Sequence, residues 1–233
     1  MNNLFAKAGI MKEYVKDMGS HTTATPDCSR IFITGLKKHS NSRKNEQHQI
    51  CSRRYIKKAV FLDRDGTIAK DPGYCNRPED FTMYPGVPQA VKQLNDNNFK
   101  VVVITNQSGL ARGYFTEEML NRIHRKMMAE IEAFGGRIDG IYYCPHHPND
   151  KCECRKPKPT LILQATEDHG ISLDGSFMVG DMEMDVLAGQ SAGCKTVLLR
   201  KIDTDGQDIS GGTNPDHIAP SLVEAIEWIL KQA

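Results

Sequence analysis

From Lys58 onward, short apolar runs alternate with longer stretches in which apolar residues recur at helical spacing. Five runs are short and rich in β-branched or aromatic residues: 59–62, 101–105, 140–143, 177–179 and 196–199. Several are continuously apolar, which suits strands covered on both faces. Between and after them the spacing predicts helices over 87–97, 116–134, 160–169, 185–192 and 220–231. Thr116 followed by Glu117 and Glu118 reads as a capped, acid-rich helix start, and Gly135, Gly136 and Gly170 as stops. Strand–helix alternation of this kind predicts a Rossmann-like parallel α/β sheet flanked by helices. Ligands of such a sheet gather at the carboxyl ends of its strands.

The leading residues read differently. Leu4, Ala8, Met11, Val15 and Met18 fall at helical spacing, so a short amphipathic helix is expected there. The chain is then polar and basic to about Lys58, and irregular structure is expected. This divides the protein into a basic extension, 1–57, and one domain, 58–233. Residues 1–58 carry 12 Lys+Arg and 4 Asp+Glu, a net of +8, whereas the remainder carries 18 and 25, a net of −7. An acidic body does not suggest nucleic-acid binding. No apolar run approaches the roughly 20 residues of a membrane helix, so a soluble, cytoplasmic protein is expected. Nothing suggests a strongly apolar extra face, and a monomer is the expectation.

The candidate polar motifs follow predicted strands. The first run leads into Asp63-Arg64-Asp65-Gly66-Thr67, the second into Thr105-Asn106-Gln107-Ser108-Gly109, and the fourth into Gly180-Asp181, with Asp185 four residues on. Arg155-Lys156-Pro157 follows the third strand and a cysteine-rich loop. Asp63, Asp65 and Asp181 are hard oxygen ligands suited to Mg²⁺, which also takes substrate phosphate. Thr105 and Asn106 offer donors to phosphate oxygens, and Lys156 a compact positive charge that Asp185 can hold in place. Positioning plus charge neutralisation is what phosphoryl transfer demands.

Seven cysteines, an odd number, argue against a disulfide framework in an intracellular chain. Cys144, Cys152 and Cys154 lie within eleven residues of one another together with His146 and His147. Three thiolates and one imidazole suit tetrahedral Zn²⁺, and a site with four protein ligands is structural. Composition leaves the choice between the two histidines open.

Taken in order, "FLDRDGTI", "PGY", "ITNQSGLARGYFTEE", "CPHHP", "CECRKPKP" and "VGDMEMDVLAG" resemble the haloacid-dehalogenase-like phosphatases. The likeness is strongest to the D-glycero-D-manno-heptose bisphosphate 7-phosphatases and the related histidinol-phosphate phosphatases. It covers Lys58 to the C-terminus. The resemblance implies a nucleophile at Asp63 that forms an aspartyl-phosphate, and a general acid/base at Asp65. It implies Mg²⁺ on Asp63, the Asp65 carbonyl and Asp181, with phosphate on Thr105, Asn106 and Lys156. The family pattern selects His146 as the fourth zinc ligand beside Cys144, Cys152 and Cys154. It places Arg112 and Arg155 at the substrate, and 69–84 as a minimal cap in which Gly73 and Tyr74 line the sugar site. Met182 departs from the pattern, which often has lysine after Gly-Asp. The implied substrate is a small sugar bisphosphate, heptose 1,7-bisphosphate losing its 7-phosphate for cell-surface polysaccharide synthesis. Histidinol phosphate is the alternative, and a non-catalytic, zinc-bound binding module a more distant one.

Overall fold

A computed structural model describes residues 9–10, 57–200 and 213–232. Strands are β1 (Gly9–Ile10), β2 (Ala59–Leu62), β3 (Lys100–Asn106), β4 (Gly140–Cys144), β5 (Phe177–Gly180), β6 (Lys195–Leu199) and β7 (His217–Ala219). Helices are α1 (Val87–Asp96), α2 (Glu117–Glu132), α3 (Thr160–His169), α4 (Glu183–Ala192) and α5 (Leu222–Lys231). The sheet order is β1-β4-β3-β2-β5-β6-β7. All pairs are parallel except β1 with β4.

The strand pleat divides the core. Val60, Leu62, Val101, Val103, Phe177 and Val179 pack with α1, α2 and α5, while Ala59, Phe61, Val102, Ile104 and Met178 pack with α3 and residues of α4. Alternate residues point to opposite faces, and helices cover both, so the central strands can be apolar throughout. β2 lies between β3 and β5, in register Phe61 with Val102 and Met178. The Asp63 N–H donates to the Val179 carbonyl at 3.0 Å, carrying the pairing one residue beyond the strand. The first aspartate therefore emerges at the middle of the sheet's carboxyl rim.

Helix boundaries follow local capping. Thr116 Oγ1 accepts from Met119 N at 3.2 Å to open α2, and Ser221 Oγ accepts from Val223 N at 3.2 Å to open α5. α4 begins at Glu183, earlier than its apolar spacing suggests, because Asp185 folds back to accept from the Met182 N–H at 3.0 Å. Two short strands, β1 and β7, escape periodicity. The helix expected around Leu4–Met18 is wrong at Gly9 and Ile10, which pair with Tyr143 and Tyr142 of β4. An edge strand offers unpaired N–H and C=O groups, and pairing with them overrides a weak helical pattern. The rest of that segment, and most of the basic stretch, lies outside the described residues.

The segment after the first motif folds over the rim as a minimal cap. Lys70 N donates to Thr82 O at 2.9 Å and Tyr84 N to Ile68 O at 3.0 Å, which closes a narrow loop. From α2, Lys126 Nζ reaches the Pro78 and Phe81 carbonyls at 2.8 and 2.9 Å and pins the loop's far turn.

Candidate active site

A cleft of about 230 Å³ opens at the strand ends. Asp63, Asp65, Thr105, Asn106, Lys156 and Asp181 line it, with Asp71, Gly73, Tyr74, Gln107, Met182 and Met184 among the other walls. Six sequence-predicted residues from four chain segments thus meet at one place. A second, more apolar hollow of about 330 Å³ lies beyond Asp181, against Tyr84, Leu199 and Leu222, and holds neither Asp63 nor Lys156.

Lys156 organises the cleft floor. Its side chain is 2% exposed, and its Nζ lies 2.8 Å from Asp63 Oδ1, 2.6 Å from Asp185 Oδ1 and 2.7 Å from the Ile104 carbonyl. Burial opposes its charge, but Asp185 and Asp63 outweigh burial and hold the ammonium pKa above its usual value. Asn106 fixes the lysine's main chain: its Oδ1 accepts from Lys156 N at 3.1 Å and its Nδ2 donates to Lys156 O at 3.3 Å. Asp185 is itself buried, 1% exposed.

The carboxylates crowd one point. Oxygens of Asp63, Asp181 and Asp185 all lie within 4.8 Å of one another. Burial pushes the Asp63 carboxyl up to about 7 despite Lys156, with the neighbouring Asp185 adding to the rise. Burial, then the Asp63 charge, pushes Asp181 up to about 6. One ammonium does not neutralise this set, and hard oxygens with uncompensated negative charge suit a divalent cation of the Mg²⁺ type. Two glycines make room. A Cβ on Gly66, whose φ is +82°, would lie 2.1 Å from Asp181 Oδ2, and one on Gly180 would lie 2.2 Å from Asp185 Oδ2.

Asp65 is held from behind. Arg64, wholly buried, gives Nε to Asp65 Oδ1 at 2.9 Å and Nη2 to Oδ2 at 2.7 Å. Gln107 Nε2 also donates to Asp65 Oδ2 and to Thr105 Oγ1, both at 2.9 Å. Neither Arg64 nor Gln107 stood out as a site residue in the sequence, although both lie inside its motifs.

Arg112 and Arg155 differ from that set. Arg112 sits exposed in the turn after β3, and neither it nor Arg155 lines the cleft. Arg155 is half-buried next to Lys156, and its Nη1 is buried without a hydrogen-bond partner among the described residues. A buried, unpaired guanidinium donor beside the floor lysine is a ready anchor for an anionic group. Tyr74 lines the cleft and meets Tyr114 edge to face, with ring centroids 4.7 Å apart.

The cysteine cluster assembles at the end of β4. Cys144 Sγ is 3.6 Å from both His146 Nδ1 and Cys152 Sγ, Cys154 Sγ is 3.2 Å from His146 Nδ1, and the Cys152 and Cys154 sulfurs are 3.8 Å apart. Ligands about 2.0–2.3 Å from one tetrahedral zinc stand about 3.5–3.8 Å apart, so these four atoms nearly enclose such an ion. Donation from Cys154 holds the Cys144 thiol down to about 5, and the same contact pushes Cys154 up. His147 does not join them; its Nδ1 accepts from Asn149 N at 3.2 Å and caps the next turn.

Parallel sheet, strand-end aspartates, buried lysine and small cap together define a haloacid-dehalogenase-like hydrolase, and the HAD-hydrolase-like family model matches residues 153–225. A D-glycero-β-D-manno-heptose-1,7-bisphosphate 7-phosphatase of Haemophilus ducreyi is 43% identical over 182 residues, 74% of this chain and 98% of that protein. The enzyme of the same name from Helicobacter pylori is 46% identical over 146 residues, 61% of this chain and 83% of that protein. The crystal structure of D,D-heptose 1,7-bisphosphate phosphatase from B. bronchiseptica, complexed with magnesium and phosphate, superposes with a TM-score of 0.69 at 35% identity, covering 76% of this chain and 99% of that one. The chain belongs to the heptose-1,7-bisphosphate 7-phosphatase family of haloacid-dehalogenase-like phosphatases.

Proposed function

We propose that the protein hydrolyses the 7-phosphate of D-glycero-β-D-manno-heptose 1,7-bisphosphate, in the synthesis of nucleotide-activated heptose. The observation that carries the chemistry is the buried Lys156 bridge between Asp63 and Asp185 at the rim where Asp65, Thr105 and Asp181 converge. The β anomer is the one named for the relatives at 43% and 46% identity. No observation favours histidinol phosphate.

In the first step an Asp63 carboxylate oxygen bonds to phosphorus and the bond from phosphorus to the C7 oxygen breaks. Asp65 delivers a proton to that departing oxygen, which leaves as an alcohol. In the second step water attacks the same phosphorus, Asp65 takes its proton, and the acyl-phosphate bond to Asp63 breaks to release inorganic phosphate. Lys156 and the Thr105 hydroxyl steady the transferring oxygens, and Asn106 holds Lys156 in position. Bound through Asp63, Asp181 and the Asp65 carbonyl, Mg²⁺ would supply charge neutralisation for the phosphoryl group. Arg155, next to Lys156 and with its Nη1 unpaired, would grip the sugar's second phosphate together with Arg112. Zn²⁺ on Cys144, His146, Cys152 and Cys154 would fix the loop that delivers Arg155 and Lys156. The protein acts on a small sugar phosphate; among the described residues no helix is long and apolar enough to cross a membrane.

The deciding experiment measures phosphate release with Mg²⁺ from both heptose 1,7-bisphosphate anomers, fructose 1,6-bisphosphate and histidinol phosphate. A clear preference for the β-heptose is expected. A preference for histidinol phosphate would defeat the substrate assignment and leave the chemistry standing.

A further inference from the structure

One buried cation and one buried imidazole have no part in the steps above. Arg64 has no exposed surface, and besides gripping Asp65 it places Nη1 3.2 Å from His124 Nε2. His124 lies sixty residues away on α2, also with no exposed surface. A guanidinium cannot accept a hydrogen bond, so His124 Nε2 accepts and the ring proton sits on Nδ1. Burial, then the charge of Arg64, keeps this imidazole well below the usual histidine pKa and therefore neutral. Its Nδ1 has no hydrogen-bond partner among the described residues. A desolvated histidine that gives up one polar contact to receive Arg64 is a costly way to fill a core.

What it secures is the orientation of Asp65. A carboxylate offers about four lone-pair positions. Arg64 Nη2 and Gln107 Nε2 take both on Oδ2, and Arg64 Nε takes one on Oδ1. The position left open is on Oδ1. Gln107 is itself anchored, its N–H donating to the Cys144 carbonyl at 2.8 Å, so the clamp has a rigid footing on β4 as well as on α2.

We propose that Arg64, set by His124, and Gln107 are positioning residues that occupy Oδ2 of Asp65 and present Oδ1 as the atom exchanging protons with the leaving oxygen and the water. This rests on Asp65 being the proton donor, as in the proposed function. No substrate need touch Arg64 or His124. Their contribution is directional: a proton donor mis-aimed by a fraction of an ångström loses most of its effect.

The test separates aim from mere stability by the leaving group. An alkyl phosphate needs a proton as it departs; an aryl phosphate such as p-nitrophenyl phosphate leaves as a stable phenolate and does not. The parameter kcat/KM reports events up to leaving-group departure. For Arg64→Lys and His124→Leu we expect kcat/KM on the sugar bisphosphate to fall about 30- to 100-fold, within the range general acid catalysis supplies. On the aryl phosphate it should fall by less than about threefold. His124→Gln, which restores an acceptor for Arg64, should recover most of the loss. Should Arg64→Lys fail to fold, the His124→Leu and His124→Gln pair decides the matter. Equal losses on both substrates, no loss on either, or failure of His124→Gln to rescue would overturn the proposal. A wild-type preference for some other alkyl phosphate would count against the proposed substrate alone, because the alkyl-to-aryl contrast is measured with whichever alkyl phosphate the enzyme accepts.

Discussion

Replacing Lys156 by methionine removes one charge from the most crowded part of the molecule. The lysine's Nζ has three oxygen partners within 2.8 Å, two of them carboxylates, and almost no contact with water. Methionine fills much of the volume, so the dominant effect is two buried carboxylates left without their cation. Breaking a buried pair in this way costs about 3–5 kcal/mol. For a domain of this size that corresponds to a fall of roughly 6–20 °C in Tm. Catalysis suffers separately: losing one preorganised charge at the transferring phosphoryl group costs about 10²–10³ in kcat. The loss also depends on pH. Asp63 already titrates near 7, and without the ammonium it and Asp185 bind protons still more readily when folded. The variant's stability is then retained at low pH, where these groups are protonated, and lost as pH rises through their folded pKa values. Its deficit relative to wild type should therefore be larger at about pH 8 than at about pH 5. Thermal unfolding of the metal-free proteins at both values, with single-turnover phosphate release in Mg²⁺, reads all three effects. A deficit under about 2 °C at pH 8, or one independent of pH, would mean that Lys156 is not the counter-charge argued here.

Three further outcomes are expected. Asp63→Asn should abolish phosphate release while leaving Tm unchanged or raised, because burial already disfavours the charged carboxylate; residual turnover at wild-type rate would rule out the covalent step. In the metal-free wild type, Asp63 and Asp181 have folded pKa values raised to about 7 and about 6, so the stability they contribute is full below about pH 4 and is lost as pH rises toward 7. Added Mg²⁺ should consequently raise Tm more at about pH 7.5 than at about pH 5, and an equal shift at both would contradict the metal-site reading. Cys152→Ser should lower zinc content, Tm and kcat together, since the cluster fixes the loop before Lys156; full activity in a protein shown by atomic absorption to contain no zinc would remove that role.

The floor of the site was legible because its chemistry is local to strand ends. A short, continuously apolar run such as Ala59–Leu62 suits a strand buried on both faces, and the polar residues that end such a strand meet the rim. Asp63, Thr105 and Asp181 each follow from that rule, Lys156 comes only after the loop that follows β4, and Cys144, Cys152 and Cys154 stand out by spacing alone. Arg112 and Arg155 show its limit: a turn residue's direction depends on how the turn packs, and Arg112 is exposed where Arg155 is half-buried. β1 and β7 are too short for any period to register, and β1 owes its form to the free edge of β4.

His124 marks where pattern reading stops for a physical reason. On α2 it falls one residue after Ile123 and three before Met127, on the face that the apolar spacing assigns to the core. Helical periodicity therefore accounts for it completely and leaves no anomaly to notice. Arg64, between two aspartates, reads with equal ease as a solvated turn residue. Only the packing of α2 against β2 and β4 brings the two side chains together, and then each explains the other: a buried guanidinium requires acceptors, and a buried imidazole requires a donor. Motifs disclose groups that touch the substrate because those groups sit where the chain turns. Groups that aim them reside inside the core, where burial hides polar residues among apolar ones, and they become visible only as hydrogen-bond partners that hydrophobic packing alone would never select.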